Sequence, residues 1–212
     1  MKWYQIYLDE IQKKGSLENY ISDKINNKGV LISLIQKYSH KNRIIECGSG
    51  TGVLSTYLAS IGYDVVGIDI DPDMLELSRK IAFEYFSNNK PKFENKSIFE
   101  MDYNVNEFDV AFSNGVLEHF SDEEIINTLK KQMNIANYVI FGIPTTYFDM
   151  EEAMYGNERY LPFSYWRDLI KKANGLIVEE KSMHYMTLKH RIFNYKKYFR
   201  PYPFRIFVIK KK

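Results

Sequence analysis

A chain of 212 residues, 45% hydrophobic and 26% charged, has the size and composition of one globular domain with a substantial core, and two full domains would be cramped in it. It has no apolar run of about 18 residues, no signal-like apolar core near its N-terminus and one cysteine, Cys47, so a membrane span, an internal disulfide and a metal site are not expected, and a cytoplasmic location is. The net charge of +2 is uneven: residues 181–212 carry ten Lys or Arg and no acid, whereas the rest of the chain carries 19 basic and 27 acidic side chains.

In chain order, residues 1–40 read as helices, with Ile6, Leu8 and Ile11, then Leu31, Leu34, Ile35 and Tyr38, as apolar contacts. A β-rich run over 43–48 leads into Glu46-Cys47-Gly48-Ser49-Gly50-Thr51-Gly52, and helical spacing resumes at Leu54, Tyr57, Leu58 and Ile61. A second run over 64–69 is followed by Asp71-Pro72, an N-cap with proline at the first helical position, and by Met74, Leu75, Leu77, Ile81 and Ala82. Further runs fall at 93–98 and 108–113, and Ser121-Asp122-Glu123-Glu124 fits a capping box ahead of Ile125, Ile126, Leu129 and Met133. The last runs, 137–143, 176–183 and 205–211, have no helical pattern between the final two, so the chain is expected to return there by an antiparallel strand. Seven runs alternating with helices predict an α/β domain: a Rossmann-like, mostly parallel sheet with an antiparallel seventh strand and helices on both faces. Neither an internal repeat nor a linker interrupts residues 1–212.

Three glycines directly after an apolar strand suit a turn whose backbone approaches a ligand, because residues without a Cβ can bend tightly out of the strand and the next helix offers its amides. The second run ends in Asp69, 21 positions after Gly48, where a carboxylate can accept both hydroxyls of a ribose. A dinucleotide fingerprint would also need glycine at position 53, which is Val53, so the spacing is GxGxG.

That turn with Glu46, the Asp69-Ile70-Asp71-Pro72 stretch, and Phe108-Asp109-Val110-Ala111-Phe112-Ser113-Asn114-Gly115-Val116-Leu117-Glu118-His119-Phe120 together resemble three ordered blocks of class I S-adenosylmethionine-dependent methyltransferases. The resemblance covers about residues 40–185 and implies strand order 3-2-1-4-5-7-6, with the helices of 1–40 lying over the cofactor. It implies that Gly48 and Gly50 contact the methionine part of S-adenosylmethionine, that Glu46 assists its ammonium, that Asp69 holds the ribose and that Ile70 packs on the adenine. Ser97 and Ile98 fall where the family supplies adenine contacts, although the family commonly has an acid at the Ser97 position, and Asp102 is close enough to substitute. Asn114 is a candidate for the methionine end, and His119 for a base, since hydroxyl or acidic N–H acceptors benefit from one near neutral pKa.

The acceptor is expected to be a small molecule. Residues 145–163, rich in aromatics and containing Glu158-Arg159, resemble the GxERyls stretch of many small-molecule members, and the basic, aromatic segment 185–204 is a second candidate lid. Nucleic-acid methylation is the first alternative, through the basic end, but the (D/N)PPY block usual for base amines is replaced by Ser113-Asn114-Gly115-Val116. A non-catalytic cofactor- or partner-binding protein is the second, and an NAD(P)-dependent reductase the third.

Overall fold

The computed structural model describes residues 3–86, 89–146, 157–183 and 204–212. Three helices, α1 (Trp3–Lys13), α2 (Leu17–Asn27) and α3 (Gly29–Tyr38), precede β1 (Arg43–Cys47), α4 (Val53–Ser60), β2 (Asp64–Asp69), α5 (Pro72–Tyr85), β3 (Lys92–Asn95), β4 (Phe108–Asn114), α6 (Asp122–Ile135), β5 (Ala136–Pro144), α7 (Phe163–Lys172), β6 (Gly175–Ser182) and β7 (Phe204–Lys211). The strands form one sheet in the order β3-β2-β1-β4-β5-β7-β6, parallel from β3 to β5, with β7 antiparallel to both of its neighbours. This is the α/β class and strand order expected from the sequence.

The strands read as unbroken apolar runs because both faces of the sheet are covered. Successive residues point to opposite sides: Ile44, Val65, Val110 and Ile140 join α3 and α4 in one core, while Ile45, Val66, Ala111 and Val139 join α6 and α7 in the other. On α7, Trp166, Leu169 and Ile170 make the apolar stripe, and Trp166 is wholly buried beside Phe141. Burying a side chain of this kind contributes roughly 2–3 kcal/mol.

The two helix starts read from the sequence are built as expected. Asp71 accepts hydrogen bonds from the amides of Asp73 and Met74 ahead of Pro72, and Ser121 and Glu124 complete a reciprocal capping box that satisfies amides otherwise left without partners. Two features differ from the expectation. Helix α7 occupies residues counted as loop up to 163 and undescribed beyond it, and β3 stops at Asn95, so Ser97 and Ile98 lie in the turn after the strand.

Among the described residues, two cations of the basic segment are paired with acids. Lys181 pairs with Glu179 at 3.3 Å and Arg205 with Glu180 at 3.4 Å. Because β7 runs antiparallel, exposed Lys210, Lys211 and Lys212 sit beside the start of β6, at the amino edge of the parallel strands. The other five cations of the basic segment, and most of the 185–204 candidate lid, lie outside the described residues. No helix among the described residues is long and apolar enough to cross a membrane.

Candidate active site

Parallel sheets bind ligands beyond the carboxyl ends of their strands, where strand order reverses. Here that place is the end of β1, flanked by β2 on one side and β4 on the other, so Glu46, Asp69 and Asn114 come from adjacent strand ends. The glycine turn is pinned from two sides. The amides of Gly48 and Ser49 both donate to the Ile68 carbonyl at 2.9 Å, and the Ser78 hydroxyl of α5 donates to the Gly50 carbonyl at 2.7 Å.

Gly50 has φ +53 and Gly52 φ +67, left-handed values that favour glycine. At Gly52 a Cβ would lie 2.5 Å from the Phe93 ring, so this glycine serves packing. At Gly50 the nearest atom to a Cβ would be the Tyr7 hydroxyl at 3.4 Å, an ordinary contact, and both residues line one cavity.

That cavity holds about 340 Å³, within the range of small-molecule sites. Gly48, Gly50, Asp69, Ile70, Ser97, Ile98 and His119 all line it, and Trp3 and Tyr7 of α1 roof it. A smaller polar annex of about 80 Å³ shares Gly48 and Tyr7 with it and is lined by Glu46, Asn114, Ser49, Tyr20, Lys24 and Lys28. Of the residues assigned to the site from sequence, Glu46, Gly48, Gly50, Asp69, Ile70, Ser97, Ile98, Asn114 and His119 therefore line one of two cavities with common walls.

Within them, the carboxylate of Asp69 accepts from the Gly50 amide at 2.8 Å through one oxygen and from the Asp71 amide at 3.0 Å through the other. Each oxygen keeps a lone pair for a further donor. Burial raises the Asp69 carboxyl above its ordinary value, and the Asp71 and Gly50 amides offset part of that.

Glu46 is buried and accepts from the Ser55 amide at 3.0 Å and its hydroxyl at 2.6 Å, in the first turn of α4. Burial still pushes it up to about 8. Lys28, at the junction of α2 and α3, is lowered to about 8 by burial and by Lys24, and its ammonium lies 3.4 Å from Met183 Sδ. The buried Asn114 Oδ1 and Ser49 Oγ have no hydrogen-bond partner. Unpartnered acceptors, a carboxyl and an ammonium lining one annex suit a zwitterionic α-amino acid group.

Asp102 does not line the cavity; it pairs with Lys96 instead, which removes it as a substitute adenine contact. Ser97 Oγ accepts from the Phe99 amide at 3.1 Å and keeps its own proton to donate.

Beyond β4, Leu117–His119 forms a single 3-10 turn. The segment after residue 156 is stapled to it: the Arg159 amide donates to the Glu118 carbonyl at 2.9 Å, and its guanidinium donates to the Phe120 carbonyl and to Asp122, both at 2.6 Å. Sequence reasoning singled out Glu158-Arg159 but not this work for Arg159. It also missed Lys28, which comes from a region without a motif, and Asn157, the variable position of the GxER stretch. Residues 147–156, the middle of the other candidate lid, lie outside the described residues.

Glu118 is 2% exposed, its Oε2 has no hydrogen-bond partner, and burial pushes its carboxyl up to about 8. In the unfolded chain it ionises near its ordinary value, so its contribution to stability is complete at about pH 4 and is lost as pH rises towards 8. Glu118→Gln keeps the shape without titrating. The variant is expected to match the parent protein at about pH 4 and to exceed it by a margin that grows as pH rises towards 8 in urea unfolding. A difference that does not grow with pH would mean that the carboxyl is ionised at no cost in the folded protein.

A family model described as a methyltransferase domain matches residues 39–192. Among solved structures, the magnesium protoporphyrin IX methyltransferase of Synechocystis PCC 6803 with bound SAH aligns at 17% identity and TM-score 0.66, over 92% of this chain and 85% of that one. The PH0226 protein of Pyrococcus horikoshii OT3 aligns at 16% identity and TM-score 0.68, over 92% of each chain. A structure of the Haloferax volcanii Trm112 methyltransferase activator with a putative methyltransferase aligns at 12% identity and TM-score 0.72, over 99% of this chain and 97% of that one. The match over most of the chain, joined to the strand order and the glycine turn, places the protein in the methyltransferase-domain family, as a class I enzyme that depends on S-adenosylmethionine.

Proposed function

We propose that the protein methylates a small molecule bearing an O–H or N–H group, and that the cofactor spans the two cavities with the acceptor at the aromatic end of the larger one. The observation that carries this reading is the convergence of Asp69, Gly50, Glu46 and Asn114 with His119 on cavities that share the walls Gly48 and Tyr7.

S-adenosylmethionine supplies an electrophilic methyl group on a sulfonium. In this reading Asp69 accepts from the ribose hydroxyls with its remaining lone pairs, and Ile70, a large apolar residue left 71% exposed at the cavity lip, gives adenine a flat contact opposite Ile98. Ser97 donates to the adenine edge in place of the acid usual in the family. In the annex, Glu46 and Asn114 Oδ1 accept from the ammonium, whose charge favours the ionised form of Glu46. Lys28, which has no carboxylate within ion-pair distance among the described residues, takes the carboxylate.

The acceptor then meets the aromatic end of the larger cavity, between Trp3, Phe99 and Phe120, with His119 beside it. A roofed space of about 340 Å³ with aromatic walls suits a planar small molecule and leaves no room for a stacked duplex. Methyl transfer to an oriented nucleophile gains most of its rate from positioning, and a proton acceptor adds to it when the nucleophile must lose a proton.

Isothermal calorimetry tests the cofactor half: S-adenosylmethionine and S-adenosylhomocysteine are expected to bind, and NADH and NADPH are not. Binding of a nicotinamide cofactor instead would overturn the reading. A methyl-labelled cofactor offered with a panel of phenols, carboxylic acids, amines and RNA tests the acceptor half, and preferential labelling of RNA would sink the small-molecule assignment.

A further inference from the structure

His119 and Asn157 are 38 positions apart, and no sequence motif joins them. The fold brings both to the wall of the larger cavity, with Asn157 Oδ1 2.9 Å from His119 Nδ1. Trp3 packs edge-on against the imidazole, with ring centres 5.1 Å apart. The staple through Arg159, two residues from Asn157, fastens this stretch to the same turn that carries His119. Amide and imidazole are therefore held on a common mount.

An amide oxygen offers lone pairs and no proton, so the ring nitrogen facing it must be the donor. A neutral imidazole has one N–H, and placing it on Nδ1 leaves the lone pair on Nε2. Turning the ring over to exchange the nitrogens would break the bond to Asn157 and disturb the Trp3 contact.

We infer that Asn157 is a positioning residue that fixes His119 as its Nδ1–H tautomer, so that Nε2 is the atom that receives the proton of the methyl acceptor. The O–H or N–H bond breaks, its electron pair stays on the acceptor atom as the nucleophilic pair, and the proton moves to Nε2. The imidazolium so formed still donates through Nδ1 to Asn157, so the same contact serves both protonation states. The arrangement suits hydroxyl, phenol or N–H acceptors and has no use in methylating a tertiary amine or a thioether. The inference rests on the methyltransferase reading above and adds the residue that prepares its base.

The test needs no acceptor. The 212-residue chain is labelled with ring-¹⁵N histidine, and His119→Gln assigns the His119 signals among the four histidines. At a pH where the ring is neutral, proton-bearing Nδ1 and bare Nε2 are expected in the parent protein. Asn157→Asp, whose carboxylate accepts from the same N–H, should preserve that pattern, and Asn157→Leu should lose it in favour of Nε2–H. A parent protein with its proton on Nε2, or an Asn157→Leu spectrum identical to the parent, would overturn the inference. Calorimetry with S-adenosylhomocysteine on the same samples should show affinities within about twofold of one another. Failure of the tautomer pattern with binding intact refutes the role of Asn157, whereas absence of binding in the parent refutes the cofactor reading beneath it.

Discussion

Gly50→Val is expected to weaken S-adenosylhomocysteine binding by at least about 100-fold, close to 3 kcal/mol, in a protein that still folds. The backbone there has φ +53, where a β-branched residue is strained by roughly 1–3 kcal/mol, so the melting temperature should fall. Folding should survive because the first atom met by a Cβ is the Tyr7 hydroxyl at 3.4 Å, an ordinary contact at the tip of a side chain. Binding should not survive, because Gly50 lines the cavity and the valine methyls would fill part of it beside Tyr7. Circular dichroism and calorimetry on one preparation measure both effects. A folded variant that binds within about tenfold of the parent would show that the ligand does not approach this backbone.

Asp69→Ala carries the next largest effect, a loss of about 1.5–3 kcal/mol in cofactor affinity, the scale of hydrogen bonds to a charged group. Two routes to that loss exist, since the carboxylate also braces the amides of Gly50 and Asp71. Ligands separate them. Adenosine should lose affinity along with S-adenosylhomocysteine, whereas 2′,3′-dideoxyadenosine, which has no ribose hydroxyls to donate, should bind parent and variant alike. An equal loss for all three ligands would make Asp69 a brace of the turn and nothing more. Asp69→Asn should do less harm, because one of the two acceptor oxygens remains.

The sheet and the cofactor half of the site were legible because local chemistry dictates them. Runs such as Val65-Val66 and Val139-Ile140 must be buried on both sides, which demands a covered parallel sheet, and Asp71-Pro72 and Ser121 to Glu124 announce helix starts by the amides they satisfy. Gly48, Gly50 and Asp69 are readable because a tight turn and a strand-end acid leave marks at fixed spacing. Helix α7 was harder: Phe163, Tyr165 and Trp166 favour strands in isolation, and only the stripe of Trp166, Leu169 and Ile170 against the sheet makes them helical. Ser97 was legible as a candidate site residue but not as a turn residue, since nothing in Lys96-Ser97-Ile98 stops a strand locally; β3 ends where its neighbour does, because β2 stops at Asp69, the partner of Asn95. Lys28 and Tyr7 were invisible as site residues because tertiary packing alone brings them there, and Asn157 was not singled out because it fills the variable position of the GxER stretch.

The roof and the floor of the site have separate origins in the chain. The family match begins at residue 39, yet Trp3 and Tyr7 of α1 close the cavity from above, and α2 brings Tyr20 and Lys24 to the annex. Helix α1 contains no buried residue and meets the rest of the protein chiefly through α2 and α5. Tyr4, Tyr7 and Ile11 pack on the small core around Tyr20 and Leu77, whereas Gln5, Asp9 and Gln12 face solvent, so substitutions on the outer face meet little resistance while those in the glycine turn meet a great deal. In the reading proposed here the enzyme is a fixed engine under a partly exchangeable cover, in which Trp3 at the aromatic end can change without rebuilding the cofactor's seat.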